Sequence, residues 1–181
     1  GGIGKALARS FTGGESVFMT TAVAHKDDSV IAIAPQALGT ITSIDIDSNN
    51  YWYLKDGVFL ASDATVELKS KMQKNLSGAL FGGTGGLFVL SAHGHGEVLL
   101  ETIGSLKVVD LNDDELTIDT DHVVAWQESL NYDIEVASGV FGFKSGEGLV
   151  TRFSGTGKVL VQSRNLKALA SKISKYIVTA K

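Results

Sequence analysis

The chain contains no cysteine, so disulfide scaffolds, thiolate zinc sites and cysteine nucleophiles are all excluded. It lacks any apolar run that approaches the ~20 residues a transmembrane helix needs, and no secretory signal is visible at its start. These absences predict a soluble, cytoplasmic protein. The chain also has a single proline, which leaves it few means of protecting exposed strand edges.

The chain has no strong excess of charge of either sign. Its 16 Lys and Arg residues are scattered along the sequence beside 20 Asp and Glu residues, for a net charge of −4. Because a nucleic-acid backbone is usually recognised by a clustered basic surface, we do not expect a nucleic-acid partner. A length of 181 residues with 44% apolar content is enough for one sizeable core, and we expect residues 1–181 to form a single domain.

The chain repeats itself. Residues 11–18 align with residues 81–88 and again with residues 143–150, at offsets of 70 and 62 positions. A second element, residues 44–60, aligns with residues 109–125 at an offset of 65. Such spacing indicates repeated supersecondary units that bury their apolar faces against one another. We therefore predict a mainly β, pseudo-threefold repeat of the barrel or prism type, in which the first repeat is incomplete at the N-terminus.

Short β-branched runs bounded by turn residues support that fold class. The segments SVFMTTAV and SVIAIA flank a polar turn at residues 24–28, and four further runs follow: TITSIDI, YWYL, VFLA and TVEL. Because SVIAIA and LFVLSA are almost continuously apolar, we expect both strands to be covered on their two faces. The aligned residues Phe11, Phe81 and Phe143 are predicted to be core plugs, and Trp126 and Tyr132 are predicted to be buried.

Three segments show amphipathic, helix-like spacing. Residues 1–12 and 69–80 are predicted to be short helices between the repeats, and residues 165–181 a C-terminal helix. The last segment has an apolar stripe formed by Leu166, Leu169, Ala170, Ile173 and Ile177, with lysines largely off it. Such a helix docks on its own domain in most proteins, but a basic amphipathic helix can also lie on an anionic membrane.

Three motifs suggest a ligand but depart from the pattern that the ligand requires. Gly4-Lys5 is followed by Ala6 and not by the Ser or Thr of a phosphate-binding loop. Residues 45–56 resemble a calcium loop, but Asn50 stands where its glycine is needed, so we expect a carboxylate-rich turn. The glycine run at residues 82–86 precedes a strand and not a helix, which argues against a dinucleotide site.

The sharpest candidate site is His93-Gly94-His95-Gly96-Glu97. Alternate residues on a strand share a face, so two imidazoles and a carboxylate could converge on a metal ion. The repeat favours another interpretation, because this segment aligns with residues 153–159, where Thr156 and Lys158 replace His95 and Glu97. We therefore expect a hairpin tip with exposed imidazoles. His25 and His122 stand alone, and no catalytic, cofactor or metal residue is assigned.

The aligned segments have a further meaning. Residues 1–18, 44–47, 54–62, 109–115, 119–136 and 146–165 together resemble the altered inheritance of mitochondria protein 24 family, formerly a domain of unknown function. The resemblance implies an all-β repeat similar to the tryptophan RNA-binding attenuation protein-like folds, mostly bacterial and cytoplasmic, with eukaryotic relatives linked to mitochondrial membrane organisation. It implies no catalytic or binding motif.

The sequence therefore predicts a non-enzymatic scaffold or assembly protein, without a cofactor, that acts through protein–protein surfaces and forms a homo-oligomer. Contact with an unknown protein partner and peripheral contact with a membrane are further expectations. The alternative is a small-ligand or metal-binding β-barrel whose site lies near His93, His95 and Glu97. The two hypotheses differ in whether those three side chains converge.

Overall fold

The computed structural model describes residues 19–36, 38–72, 88–137 and 148–177. Their strands are β1 (Gly39–Ile46), β2 (Trp52–Lys55), β3 (Phe59–Ser62), β4 (Val66–Met72), β5 (Phe88–Gly94), β6 (Gly96–Ile103), β7 (Leu106–Asp119), β8 (Val123–Gln127), β9 (Asn131–Val136) and β10 (Leu149–Gln162). A 3-10 helix spans Thr120–His122, and helix α1 spans Leu166–Ser174. The prediction of a mainly β protein with a C-terminal helix is confirmed.

The strands form two antiparallel sheets. The smaller sheet has the order β1-β6-β3, and the larger has the order β4-β5-β2-β8-β10-β7 with β9 also paired to β10. Strand β10 is long enough to pair with β7 along its whole length on one side and with β9 and then β8 on the other. It is therefore the central strand of the second half of the chain.

The core follows from alternation along these strands. In β6, Val98, Leu100 and Thr102 are buried while their neighbours are exposed or half-buried, as expected for a strand with one face on the core. Val98 and Leu100 pack in one apolar cluster with residues of β1 and β2, among them Ile46 and Leu54. Strand β8 is buried at four consecutive positions, because the chain covers both of its faces.

The two halves of the chain repeat the same strand pairing. In the first half Asp45 of β1 pairs with Glu97 of β6, and in the second half Asp110 of β7 pairs with Lys158 of β10, 65 and 61 positions later. The pairing of β3 with β6 recurs as the pairing of β8 with β10, and the pairing of β4 with β5 recurs as the pairing of β9 with β10. We call residues 39–103 module 1 and residues 106–162 module 2.

The two modules also share a β-bulge at the same place in their ladders. In module 1 the β3–β6 ladder shifts register between Phe59 and Ala61, and in module 2 the β8–β10 ladder shifts between Val123 and Ala125. A β-bulge leaves one residue unpaired and bends its strand, so the same bulge in the same ladder gives both modules the same bend. The repeat of this unit is thus visible in two copies, while a pseudo-threefold arrangement stays a prediction.

The first predicted strand pair forms no strand within the described residues. Residues 19–35, which include SVIAIA, adopt no strand, and every residue from Met19 to Ala34 is exposed. The expectation that SVIAIA is covered on both faces is therefore wrong for the described part of the chain. The apolar pattern of a strand was present, but a strand also needs a partner ladder, and no described strand supplies one. We call residues 19–35 the apolar arm.

The predicted inter-repeat helix at residues 69–80 is also wrong at its start, because residues 69–72 continue strand β4 and pair with β5. Met72, Leu76 and Leu80 recur at four-residue spacing in the sequence, but at residues 69–72 the ladder with β5 overrides that local preference. Residues 1–12, residues 82–86, and the predicted core plugs Phe11, Phe81 and Phe143 lie outside the described residues.

Candidate functional site

The richest group of polar and aromatic side chains lies where the two modules meet. We call it the junction cluster: Tyr51, Tyr53, Lys71, His93 and Glu128. Module 1 supplies the first four residues from around β2 and from β4 and β5, while Glu128 follows β8 in module 2. Strand β2 pairs with β8, and this places Tyr53 opposite Trp126. Glu128, in the turn that follows β8, then lies within hydrogen-bond distance of the Tyr53 hydroxyl.

Glu128 is the centre of the junction cluster. The Tyr53 hydroxyl donates a 2.6 Å hydrogen bond to Glu128 Oε1, and Lys71 Nζ lies 3.3 Å from the same oxygen. Lys71 Nζ also donates to the Tyr53 hydroxyl at 3.1 Å and lies 4.8 Å from the Tyr53 ring centroid. His93 Nε2 is 3.8 Å from Glu128 Oε2. The cluster thus ties three strands of one module to the turn of the other.

The electrostatics of the junction cluster do not suit proton transfer near neutral pH. Burial and the hydrogen bond to Glu128 raise the pKa of Tyr53 above its ordinary value. Burial acts to raise the pKa of Glu128, but the hydrogen bonds from Tyr53 and Lys71 outweigh it, and the pKa lies below its ordinary value. Burial acts to lower the pKa of Lys71, but its contacts with Tyr53 and Glu128 outweigh burial, and this pKa lies above its ordinary value. All three shifts move the pKa values further from neutral pH, whereas a general acid or base works best with a pKa near the working pH.

A second polar contact also joins the modules. Lys55 Nζ donates a 2.8 Å hydrogen bond to the backbone oxygen of Thr120 and lies 3.6 Å from Asp121 Oδ1. Burial lowers the pKa of Lys55, and the carboxylate of Asp121 opposes that effect. Because a half-buried ammonium group keeps a backbone acceptor and a carboxylate partner, this lysine has a structural role at the junction.

The structure separates His93, His95 and Glu97, the three residues of the alternative metal-site hypothesis. His93 lies against Tyr51, with ring centroids 4.5 Å apart, and its side chain is half-buried. His95 and Glu97 are exposed, and the backbone N–H of Glu97 donates to Asp63 Oδ2 at 2.9 Å. Within the described ranges, no group of three or more His, Asp or Glu side chains lies close enough together to hold a metal ion.

The hairpin-tip interpretation of this segment needs correction. Strand β5 pairs with β2 and β4 in the larger sheet, whereas β6 pairs with β1 and β3 in the smaller one. The described residues show no pairing between β5 and β6, so Gly94 to Gly96 is a corner where the chain passes from one sheet to the other. Gly94 has a φ of 101°, and a Cβ there would lie 2.4 Å from the backbone oxygen of Thr65. The corner needs glycine at that position.

The ladders support the alignment of His93 with Ser154. The bulged ladders relate Ala61 to Ala125 and Leu99 to Leu160, at offsets of 64 and 61 positions. The same offsets relate the Glu67–His93 pair of module 1 to the Asn131–Ser154 pair of module 2. They also relate Gly94 to Gly155, and both glycines have a positive φ. Phe153 therefore corresponds to Ala92, and both side chains are fully buried.

Two sequence predictions are confirmed near the junction. Trp126 is buried as predicted, whereas Tyr132 is only half-buried. The Trp126 ring lies 4.9 Å from that of Tyr132 and 5.5 Å from that of the buried Phe153, between ring centroids. Asp47 ties a carboxylate turn, since its side-chain oxygens accept from Asn49 N at 2.7 Å and from Asn50 Nδ2 at 2.9 Å. The hydrogen bond from Asn50 lowers the pKa of Asp47. The loop is therefore closed by its own side chains.

Sequence reasoning missed His122 as a structural residue. Its Nδ1 lies 2.8 Å from the backbone oxygen of Gln162, which can only accept, so Nδ1 carries the proton. In the neutral ring Nε2 then accepts from the side-chain amide of Asn165 at 3.0 Å. The Asn165 side-chain oxygen accepts from Ala168 N at 2.7 Å and caps helix α1. Only the tertiary structure brings these residues together, 43 positions apart in the chain.

Open strand edges complete the surfaces of the described chain. The outer edge of β8 in module 2 is covered by β2, but the corresponding edge of β3 in module 1 pairs with none of the described strands. The apolar arm nearby in sequence exposes Val30 and Ile31, at 93% and 64% of their full surface. No helix in the described segments is long and apolar enough to cross a membrane.

Together, the fold and these surfaces define a β-repeat protein whose polar clusters join its modules. The family model described as "Mitochondrial biogenesis AIM24" matches residues 1–164, and the chain belongs to this family. An uncharacterised protein of Streptococcus pyogenes serotype M6 is 39% identical over 183 residues, which covers 99% of this chain and 73% of that protein. A crystal structure of a Streptococcus pyogenes protein is 36% identical with a TM-score of 0.68; it matches 80% of this chain, which spans 63% of that protein. The predicted family resemblance is confirmed.

Proposed function

We propose that this chain is a non-enzymatic scaffold or assembly protein that acts through strand edges and forms a homo-oligomer. The apolar arm is the observation that carries the proposal. Its exposed side chains include Met19, Val23, Val30, Ile31 and Ile33. Contiguous apolar surface of this kind marks interaction sites in soluble proteins, because exposure to water is costly.

The repeat explains why the arm needs a partner. Residues 11–18 align with residues 81–88, so the arm follows the first repeat element as β5 and β6 follow the second. In module 1, β5 and β6 are covered by β1, β2, β3 and β4. The arm has the composition of such strands but no ladder among the described residues. Pairing between copies of the chain would satisfy its backbone groups and bury its side chains.

The junction cluster supports a non-enzymatic role. Its pKa shifts stabilise fixed charges, and its side chains hold two modules together. The rival hypothesis of a metal-binding barrel needs His93, His95 and Glu97 to face one ion, and the corner between β5 and β6 directs them to different surroundings. The surfaces favour a protein that works by holding itself and its partners in place.

Light scattering after size-exclusion chromatography tests the proposal on the full chain at tens of micromolar. We expect a mass of two or more copies. A Val30→Asp, Ile31→Asp double change should shift the mass toward one copy, because buried carboxylates without partners are costly. His25→Asp adds a carboxylate in the polar turn of the same arm and should leave the mass unchanged. A monomeric mass for the unaltered chain, or an equal response to both variants, would contradict the proposal.

A further inference from the structure

The C-terminal segment differs in charge from the rest of the chain. After Gln162 the sequence contains five basic residues and no acidic one, so this segment carries +5, while residues 1–162 carry −9. The basic residues are Arg164, Lys167, Lys172, Lys175 and Lys181. A segment with charge of one sign, attached to a body of the opposite sign, is adapted to meet an anionic surface.

Helix α1 separates the apolar side chains of this segment from its lysines. At 100° per residue, Leu166, Leu169 and Ile173 fall within one narrow arc of the helix. The backbone keeps turning beyond the helix end, since Tyr176 N donates to Ile173 O and Ile177 N donates to Ser174 O. Tyr176 and Ile177 therefore extend the same arc. Lys167 and Lys172 lie on either side of the arc, and Lys175 lies opposite it. This is the pattern of a helix that lies in the plane of a membrane interface.

The apolar arc is mostly uncovered by the described part of the chain, although Leu169 is half-buried. No residue of α1 is buried, and the exposed fraction is 67% for Leu166, 62% for Ile177 and 86% for Tyr176. The helix start is nevertheless held in place, because Asn165 caps it and is itself bound by His122. The protein thus presents a helix that is anchored at its first turn and has a free apolar face.

We propose that helix α1 docks this protein on an anionic lipid surface. Apolar side chains of the arc enter the interface, and the flanking lysines meet lipid phosphate groups. Tyr176 has an apolar ring and a polar hydroxyl, the combination that is enriched at the level of lipid headgroups. An acidic protein groove would also attract the lysines, but it would not require the ring at the edge of the arc. The inference is independent of the oligomer proposed above.

Flotation of the full chain with vesicles tests the inference. We expect binding to vesicles of phosphatidylcholine with phosphatidylglycerol, little binding to phosphatidylcholine alone, and weaker binding as salt is raised. Lys172→Glu should lower the affinity at least about fivefold, since each basic residue near an anionic surface strengthens binding by about that factor. Ile173→Ser should also lower it, because the arc then loses an apolar side chain.

Lys107→Glu is the matched control: it makes the same charge change at an exposed position on β7. It should leave vesicle binding unchanged, and all three variants should melt as the unaltered protein does. Equal binding to both kinds of vesicle, or equal losses from Lys107→Glu and Lys172→Glu, would overturn the inference. The inference would also be overturned if the chain bound no vesicles and instead bound a soluble acidic protein through the same lysines.

Discussion

Modules 1 and 2 share their ladders and their bulge, yet they differ at the corner where the chain changes direction. In module 1 the chain breaks into β5 and β6, which belong to different sheets. In module 2 the corresponding stretch is the single strand β10, which passes the same point with only a register shift between Gly155 and Gly157. One supersecondary pattern therefore permits either a bend within a strand or a change of sheet, according to the glycines at the corner and the contacts around it.

The modules also fill corresponding core positions differently. Phe153 is fully buried among Trp126 and Tyr132, whereas its counterpart Ala92 is fully buried between its ladder partners Trp52 and Leu68. Module 2 therefore has an aromatic ring where module 1 has a single methyl group. The comparison shows that a repeat conserves backbone pairing more strictly than it conserves side-chain chemistry.

Substitution of these two counterparts should have the largest and most unequal effect. Phe153→Ala should lower the free energy of unfolding by about 3–5 kcal/mol, because it removes a buried ring and leaves a cavity. Ala92→Gly should lower it by only about 1 kcal/mol, because the buried counterpart loses a single methyl group. Urea denaturation of both variants measures the difference, with exposed Arg152→Ala as a control on the same strand as Phe153. Equal losses for Phe153 and Ala92 would show that the two modules do not differ in this way.

The two corners should respond differently to a methyl group. Gly94 and Gly155 have φ values of 101° and 110°, so alanine is strained at both, by roughly 1–3 kcal/mol. Only at Gly94 would the added Cβ also meet a backbone atom, at 2.4 Å, while the nearest atoms at Gly155 are 4.0 Å away. Gly94→Ala should therefore lower the melting temperature more than Gly155→Ala. The reverse order would mean that the corner of module 1 is the more adaptable one.

The junction between the modules should show the smallest effect and a dependence on pH. Tyr53→Phe removes the 2.6 Å hydrogen bond to Glu128 and should cost about 1 kcal/mol at neutral pH. The folded-state pKa of Glu128 is lowered, so its stabilisation is present above the unfolded-state value of about 4.5 and is lost as the pH falls through the folded-state value. Because Tyr53→Phe removes one cause of the lowered pKa, we expect a shallower loss of stability in acid.

Urea denaturation at a series of pH values measures this effect, and Tyr176→Phe provides a control hydroxyl deletion at an exposed position after helix α1. If Tyr53→Phe kept the full acid dependence of the unaltered protein, the link between Glu128 and the junction would be wrong. A loss as large as that of Phe153→Ala would instead place the main energetic contribution at the junction and not in the core of module 2.

Local sequence pattern was sufficient for much of this protein. Turn residues and β-branched runs predicted β1, β2, β3 and β4 at nearly their observed positions, because strand alternation and turn chemistry are local properties. The carboxylate turn at Asp47 and the C-terminal helix could be predicted for the same reason. The offset of 65 positions identified the first strand of each module, and it placed the bulged strand that follows within one residue of its observed counterpart.

Partners and faces were decided by the tertiary structure, because they depend on which ladder a strand joins. The repeat aligned His93 with Ser154, but it could not show that the imidazole packs against Tyr51, because that contact forms only when β2 pairs with β5. Likewise, the strand pattern of the apolar arm could not show that no described ladder receives it. The meeting of His122 with Asn165, and of Tyr53 with Glu128, required the fold, since burial and hydrogen bonding between distant segments are fixed only when the sheets assemble.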